Sequence, residues 1–166
     1  MLCRAVYMGS FDPVTLGHLN IIERASRLVD ELVVGVGTNI DKQALFTPEE
    51  RVELVRRVTG GMANVVVRQF SGLAVQFVRE CDARVIVRGV RSLSDIEAEF
   101  TMSLANRMLD PDIETIFLMA DEEFSHVSSS LVKQIMSMAS DEQLTRFVPP
   151  DILPDVRTRL EEQRGG

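Results

Sequence analysis

Five short apolar runs alternate with amphipathic segments along this chain. The runs are Arg4–Met8, Glu31–Val36, Val65–Gln69, Arg84–Val87 and Thr115–Met119. They are rich in Val and Ile and do not alternate strictly, which is the pattern of parallel strands covered on both faces. Between them, Leu19, Ile22, Ala25, Leu28 and Val29 form one apolar stripe over residues 17–29. Thr47-Pro48-Glu49-Glu50 joins an N-cap, a first-turn proline and a capping-box glutamate, so it predicts a helix start. Leu73–Glu80, Ile96–Leu109 and Ser128–Met138 read as three further helices. Five β-α repeats with short connections predict an α/β fold built on a doubly wound, five-stranded parallel sheet. Past Met138 the chain turns polar, with Pro149-Pro150 and Pro154 punctuating short helices, so Asp141–Gly166 reads as a C-terminal helical appendage with a frayed end. The expected organisation is one domain over residues 1–166, with a core over about 3–138 and the appendage over about 141–166. No internal repeat or low-complexity segment interrupts it.

Sheets of this kind bind ligands outside the carboxyl ends of their strands, near the topological switch point. Three motifs fall on such ends. The first, Gly9-Ser10-Phe11-Asp12-Pro13-Val14-Thr15-Leu16-Gly17-His18, joins the first strand to the first helix. Gly9 lets backbone approach a ligand, and a helix opening near Gly17 aims free N–H groups and a positive dipole end at an anion. His18 then stands in the first turn, where its ring can donate to an anionic oxygen. The second motif, Arg88-Gly89-Val90-Arg91, is expected just past the fourth strand and suits a phosphate-rich ligand, because each guanidinium is a rigid fork of donors. Asp95 and Glu97 read as helix N-terminal acids favoured by the dipole, whereas Glu99 could also orient a ribose or an arginine. The third motif is Ser128-Ser129-Ser130-Leu131-Val132-Lys133. One serine serves as an N-cap, the others add hydroxyl donors, and Lys133 one turn on is read as facing water. Lys42, in the loop after the second strand, gains interest only from opening onto the same edge. His126 has no motif around it.

Composition narrows the chemistry. The 166 residues are 45% hydrophobic and 26% charged, ordinary for a globular domain. The net charge of −7 argues against a broad nucleic-acid surface, so an anionic nucleotide would need locally gathered cations. Cys3 and Cys81 are both expected in core elements as buried, reduced thiols, and no Cys/His/carboxylate group has metal-ligand spacing. Met1-Leu2-Cys3-Arg4 runs straight into the first strand, so no signal peptide is expected. No apolar run reaches the length of a membrane span. A cytoplasmic protein without a membrane or nucleic-acid partner is the simplest expectation. Histidine, arginines, a lysine and helix starts around an anion, without a strong nucleophile or general base, suggest phosphoryl-type chemistry without a covalent intermediate. Such catalysis rests on positioning and charge stabilisation.

Ser10-Phe11-Asp12-Pro13 with Gly17-His18 resembles the signature of the nucleotidyltransferase superfamily, and Ser128-Ser129-Ser130-Leu131-Val132-Lys133 resembles its second serine motif. Phe46-Thr47-Pro48-Glu49-Glu50-Arg51, Phe70-Ser71-Gly72-Leu73 and Arg88-Gly89-Val90-Arg91 stand in the order and spacing of the phosphopantetheine adenylyltransferase family, a resemblance running from about residue 3 to residue 160. It implies a Rossmann-like nucleotidyltransferase fold. The implied reaction transfers AMP from Mg-ATP to 4′-phosphopantetheine by direct in-line attack, giving dephospho-coenzyme A and pyrophosphate in coenzyme A synthesis. By the resemblance, His18 stabilises the transition state, and Ser10, Lys42 and Arg91 complete the catalytic set. ATP would meet Ser10, Phe11, His18, Gly89, Val90, Arg91 and Glu99, together with the stretch Phe124, Ser125, His126, Val127, Ser128, Ser129 and Ser130. The acceptor would meet Ser10, Lys42 and Arg88 at its phosphate, and Leu73, Ala74, Met102 and Asn106 along its arm. Mg2+ would come with ATP, with no protein metal ligand. The family also implies a homohexamer and coenzyme A as feedback inhibitor.

The chain departs from the family pattern at several positions. Ser10 stands for a frequent threonine and keeps the hydroxyl. Ala98 stands for a common tyrosine, Ala120 for a common proline, His126 for an aromatic residue and Gln134 for a glutamate. These bear on nucleotide-edge packing and inhibitor affinity more than on the reaction. Two other readings remain: a nucleotidyltransferase using a different phosphate acceptor, such as glycerol phosphate or nicotinamide mononucleotide, and a non-catalytic nucleotide-binding sensor. An aminoacyl-tRNA synthetase shares the histidine logic, but this acidic chain has no room for a tRNA-binding module.

Overall fold

In the computed structural model, residues 3–38 and 44–165 are described. Lys42 lies outside them. Five parallel strands form one sheet in the order β3-β2-β1-β4-β5: β1 (Arg4–Gly9), β2 (Glu31–Gly37), β3 (Val65–Phe70), β4 (Val85–Val90) and β5 (Glu114–Met119). The chain winds outward from β1 through β2 to β3, then returns to β4 beside β1 and winds the other way. The switch point therefore lies between the carboxyl ends of β1 and β4, where Tyr7 is in register with Val87.

The two central strands are apolar on both faces because helices cover both. Ala5, Tyr7, Leu32, Val34 and Val36 point to one side, where they pack with α1 (Leu16–Ser26), α2 (Pro48–Thr59) and α5 (Ser129–Ile135). Val6, Met8, Val33 and Ile86 point to the other and meet Val75, Phe77 and Val78 of α3 (Ala74–Glu80). Gly35 leaves room for Phe77, since a Cβ there would come within 2.5 Å of its ring. The C-terminal segment is less of an appendage than its polarity suggests. Leu144 of α6 (Asp141–Leu144), Val148, and Val156 and Leu160 of α7 (Leu153–Gly165) belong to the first core cluster, together with β1 and β2.

Several expected boundaries move for local reasons. The Thr47 capping box opens α2 where predicted. The first helix stops at Ser26, so Leu28 leaves the stripe and is 60% exposed. Ser92 accepts from the Asp95 N–H at 3.2 Å and starts α4 (Leu93–Leu109) three residues before the apolar pattern does. β4 runs on to Val90, so Arg88, Gly89 and Val90 are strand residues and only Arg91 lies past the end. Cys81 is buried as expected, but Cys3, just ahead of β1, is exposed.

Candidate active site

Thr15, the N-cap of α1, fixes the central histidine. Its hydroxyl accepts from the His18 N–H at 3.3 Å, and its own N–H donates to His18 Nδ1 at 3.0 Å, a capping box in which an imidazole takes the place usually filled by glutamate. Burial first, then the charges of Arg91 and Arg88, push the ring from its ordinary 6.5 down to about 4. The ring is therefore neutral near pH 7. With Nδ1 accepting, its single proton sits on Nε2 as a donor. Phe11 supports the ring from beneath, with centroids 4.9 Å apart in an edge-on contact, and is itself fully buried. Its φ of 50° lies in the left-handed region, sparsely populated for a residue with a bulky side chain. The Phe11 side chain, expected to meet a nucleotide, is turned into the core.

The arginines are held from α4. Arg88 donates through Nε and Nη2 to the two Glu99 oxygens at 2.6 Å each, and through Nη1 to the Met8 carbonyl at 2.8 Å. Burial opposes its charge, yet the Glu99 hydrogen bonds and charge outweigh that and raise its pKa. Of the two roles open to Glu99, the structure has it orienting an arginine. Arg91 donates to Asp95 at 3.0 Å and to the Val127 carbonyl at 3.2 Å. Burial would raise the Asp95 pKa, but hydrogen bonds from the Arg91 side chain and backbone more than offset it and leave it lowered. Asp95 is therefore more than a dipole acid: it aims Arg91. Gly89 stands between them without a side chain, and a Cβ there would come within 2.8 Å of Ile21 on α1.

Two cavities open along this edge and share Gly9, Ser10, Arg88, Glu99 and Ser130 in their walls. One, of about 340 Å³, contains His18, Arg91, Gly17 and Ala120. The other, of about 550 Å³, runs past Ala74, Met102 and Asn106. Ser128 caps α5 by accepting from Leu131 N–H at 3.1 Å, Ser129 donates to the Pro13 carbonyl at 2.8 Å, and Ser130 is exposed. Leu73 caps α3 with its side chain half exposed, and its neighbours Gly72 and Ala74 line the cavity instead. Val90 is buried in the sheet, and His126 packs edge-on against Phe147. Phe124 and Ser125 are off the cavity walls, while Val127 is on them.

Three residues that sequence reasoning passed over hold the site together. Asp12, almost fully buried, accepts from the Leu45 and Phe46 N–H groups at 2.8 Å each and pairs with Lys133 at 2.6 Å. Lys133 accordingly faces the cavity wall and an aspartate, not open water. Arg51, buried in α2, donates to the Ser10 carbonyl at 2.7 Å and the Gly37 carbonyl at 3.0 Å, tying the ends of β1 and β2. Thr15 could have been found, since it stands at capping distance from His18. Asp12–Lys133 and Arg51–Ser10 join residues far apart in the chain, and no local pattern marks them.

A neutral imidazole donor, two oriented guanidiniums and serine hydroxyls meet at the switch point of a doubly wound sheet, a set of groups suited to phosphate oxygens. The cytidylyltransferase-like family matches residues 6–135. The fold is that of Plasmodium falciparum nicotinic acid mononucleotide adenylyltransferase, solved with NaAD, at a TM-score of 0.70, 12% identity and 96% coverage of each chain. It is also similar to a bifunctional NMN adenylyltransferase/ADP ribose pyrophosphatase from Francisella tularensis, at a TM-score of 0.67 and 14% identity over 93% of this chain and 49% of that one. A phosphopantetheine adenylyltransferase of Rhodopirellula baltica is 62% identical over 157 residues, covering 94% of this chain and 88% of the relative. One from Clostridium botulinum is 46% identical over 160 residues, covering 96% of each. The chain is a nucleotidyltransferase, and within that class it belongs to the phosphopantetheine adenylyltransferase family.

Proposed function

We propose that this enzyme transfers AMP from Mg-ATP to 4′-phosphopantetheine, giving dephospho-coenzyme A and pyrophosphate. The observation that carries the reading is the pair of cavities with a common wall at Ser10, Arg88 and Glu99. ATP would lie on the His18 side and the acceptor arm along Ala74, Met102 and Asn106. An ionised oxygen of the acceptor phosphate attacks the α-phosphorus, and the bond to pyrophosphate breaks as the new P–O bond forms. The nucleophile is already deprotonated, so no general base is needed. His18 Nε2–H donates to the α-phosphate as charge builds in the transition state. Being neutral, it does so without carrying a proton that must be lost. Ser10 would reach both phosphates, Arg91 the nucleotide, Arg88 the acceptor phosphate, and Lys42 joins Arg88 by the family resemblance.

Mg2+ would enter as part of Mg-ATP. Among the described residues no group of three or more His, Cys, Asp or Glu could hold a metal ion, so the phosphates would supply its ligands. Coenzyme A, which carries the product's own pantetheine arm and nucleotide, would inhibit by filling both cavities. A homohexamer is supported by α4, which leaves Phe100, Leu104, Met108 and Leu109 exposed on a chain of this size. One folding domain is supported by the C-terminal helices' share in the β1–β2 core. A cytoplasmic location agrees with two free thiols, and no described helix is long and apolar enough to cross a membrane.

The test is pyrophosphate release from Mg-ATP with 4′-phosphopantetheine, beside glycerol 3-phosphate and nicotinamide mononucleotide. Release with phosphopantetheine alone is expected. Release only with another acceptor would keep the chemistry and replace the substrate, and ATP binding with no release from any would favour a sensor.

A further inference from the structure

The loop leaving β5 passes beside the His18 cavity, and it is fastened to the same helix that carries His18. Asn20, two residues past His18 and only 8% exposed, holds Asp121 with both ends of its amide: its Nδ2 donates to Asp121 Oδ2 at 2.6 Å, and its Oδ1 accepts from the Asp121 N–H at 3.3 Å and from Arg24 at 3.4 Å. Arg24, one turn further along α1, donates to Asp121 Oδ1 at 3.0 Å and to the Met119 carbonyl. On the other side of this fastening, Ala120 lines the His18 cavity and its N–H donates to the Val90 carbonyl at 2.8 Å. The loop then runs through a short 3-10 turn, Glu122–Phe124, to Val127, whose carbonyl accepts from Arg91. There it lies against α1 again, where a Cβ on Gly17 would be 3.4 Å from that carbonyl.

We propose that Asp121, gripped by Asn20 and Arg24, is a positioning residue for the nucleotide. It sets the course of residues 120–127 against α1, and so the place of the Val127 carbonyl that aims Arg91 into the His18 cavity. The exposed Arg24–Asp121 pair alone would contribute little, as surface ion pairs do. The buried Asn20 amide carries more of the effect, because removing Asp121 takes the partner from its Nδ2 and leaves its Oδ1 only the longer contact from Arg24 at 3.4 Å. Asp121 touches neither cavity itself, so its influence is on geometry. The inference rests on the reading of the His18 cavity as the ATP side.

The experiment uses the full chain with Asp121→Ala, Asn20→Ala and the double variant. Mg-ATP affinity is measured by calorimetry without acceptor, and KM for ATP and for 4′-phosphopantetheine in turnover. Each single variant should weaken ATP about three- to tenfold, the scale of a lost charged hydrogen bond. The acceptor KM should stay within about twofold, and the double variant should be no worse than the weaker single, because both break one clamp. Unchanged ATP affinity, equal weakening of both substrates, or effects that multiply in the double variant would each overturn the proposal. Should Asn20→Ala lose its cooperative thermal transition, Arg24→Gln replaces it, with a smaller loss in the same direction expected. A parent protein that binds Mg-ATP but releases no pyrophosphate with phosphopantetheine would sink the substrate reading and leave the clamp to be judged on ATP affinity alone. A parent that binds no ATP would remove both.

Discussion

The helices on either side of the site, α1 and α4, are held by different means. α1 is fixed from within the chain: Thr15 and His18 close its capping box, Leu16 N–H donates to the Phe147 carbonyl at 2.9 Å, and Asn20, Ile21, Ile22 and Ala25 are buried. α4 is longer, yet Asn106 is its one buried residue, and Met108 is 88% exposed. What ties α4 to the site is charge, through Glu99 on Arg88 and Asp95 on Arg91. The histidine wall is therefore preorganised by packing. The arginine wall is oriented by ion pairs whose supporting helix has an uncovered apolar face. A rigid donor beside adjustable cations suits the proposed transfer, in which the α-phosphate would be held still while the acceptor phosphate is drawn to it.

Breaking the rigid side should have the largest effect. His18→Ala is expected to lower turnover about 100- to 1000-fold, the effect of losing one well-placed transition-state donor, while Mg-ATP affinity changes far less. A loss seen only in ATP binding would remove the proposed role. On the charged side, Glu99→Gln leaves Arg88 without its counter-charge. The acceptor KM should rise about tenfold, with a smaller effect on ATP, since the group is partly exposed and glutamine keeps one acceptor. If ATP suffers more than the acceptor, the division of the cavities is wrong.

Smaller changes sharpen the contrast. Thr15→Ala removes the hydroxyl cap and should cost about 1 kcal/mol in denaturant unfolding. Turnover should fall by no more than about fivefold, because the backbone N–H still holds Nδ1 and only the loss of one hydrogen bond is felt. Phe100→Asp with Met108→Asp should leave His18 chemistry intact but shift sedimentation toward smaller species, with turnover reduced by about two- to threefold as α4 loses its support. An unchanged assembly would show that another surface makes the contact.

The pH dependence acts on stability and not on turnover, and it has a definite sign. His18 is pushed down to about 4 from 6.5, so between those values the unfolded chain binds a proton that the folded one refuses. Stability should fall as pH drops from 6.5 toward 4 and gain no further penalty from this group below that. His18→Gln should flatten this part of the stability curve, and turnover should show no loss near pH 6 that traces to His18.

Much of this was legible from residue order. The five strands, the α2 cap and the placing of the His18 motif between β1 and α1 were readable, because buried parallel strands and capping boxes are local patterns. The extent of β4 was not, since Arg88 and Gly89 look like loop residues until Glu99 and Ile21 are brought against them. Lys133 reads as a solvated lysine until Asp12 meets it across more than a hundred residues of sequence. Leu28 fits the α1 stripe, but the helix ends before it and leaves it outside.

The sequence alone determined the doubly wound plan, the sheet edge on which the motif residues gather and the place of His18 in the first turn of α1. Hydrophobic period, caps and glycine turns act over a few residues, and their consequences can be read one segment at a time. The tertiary structure decided the protonation of His18, the aim of both arginines and the division of the edge into two adjoining cavities. Each depends on burial or on a partner distant in the chain, and desolvation and charge pairing exist only once the strands have brought those partners together.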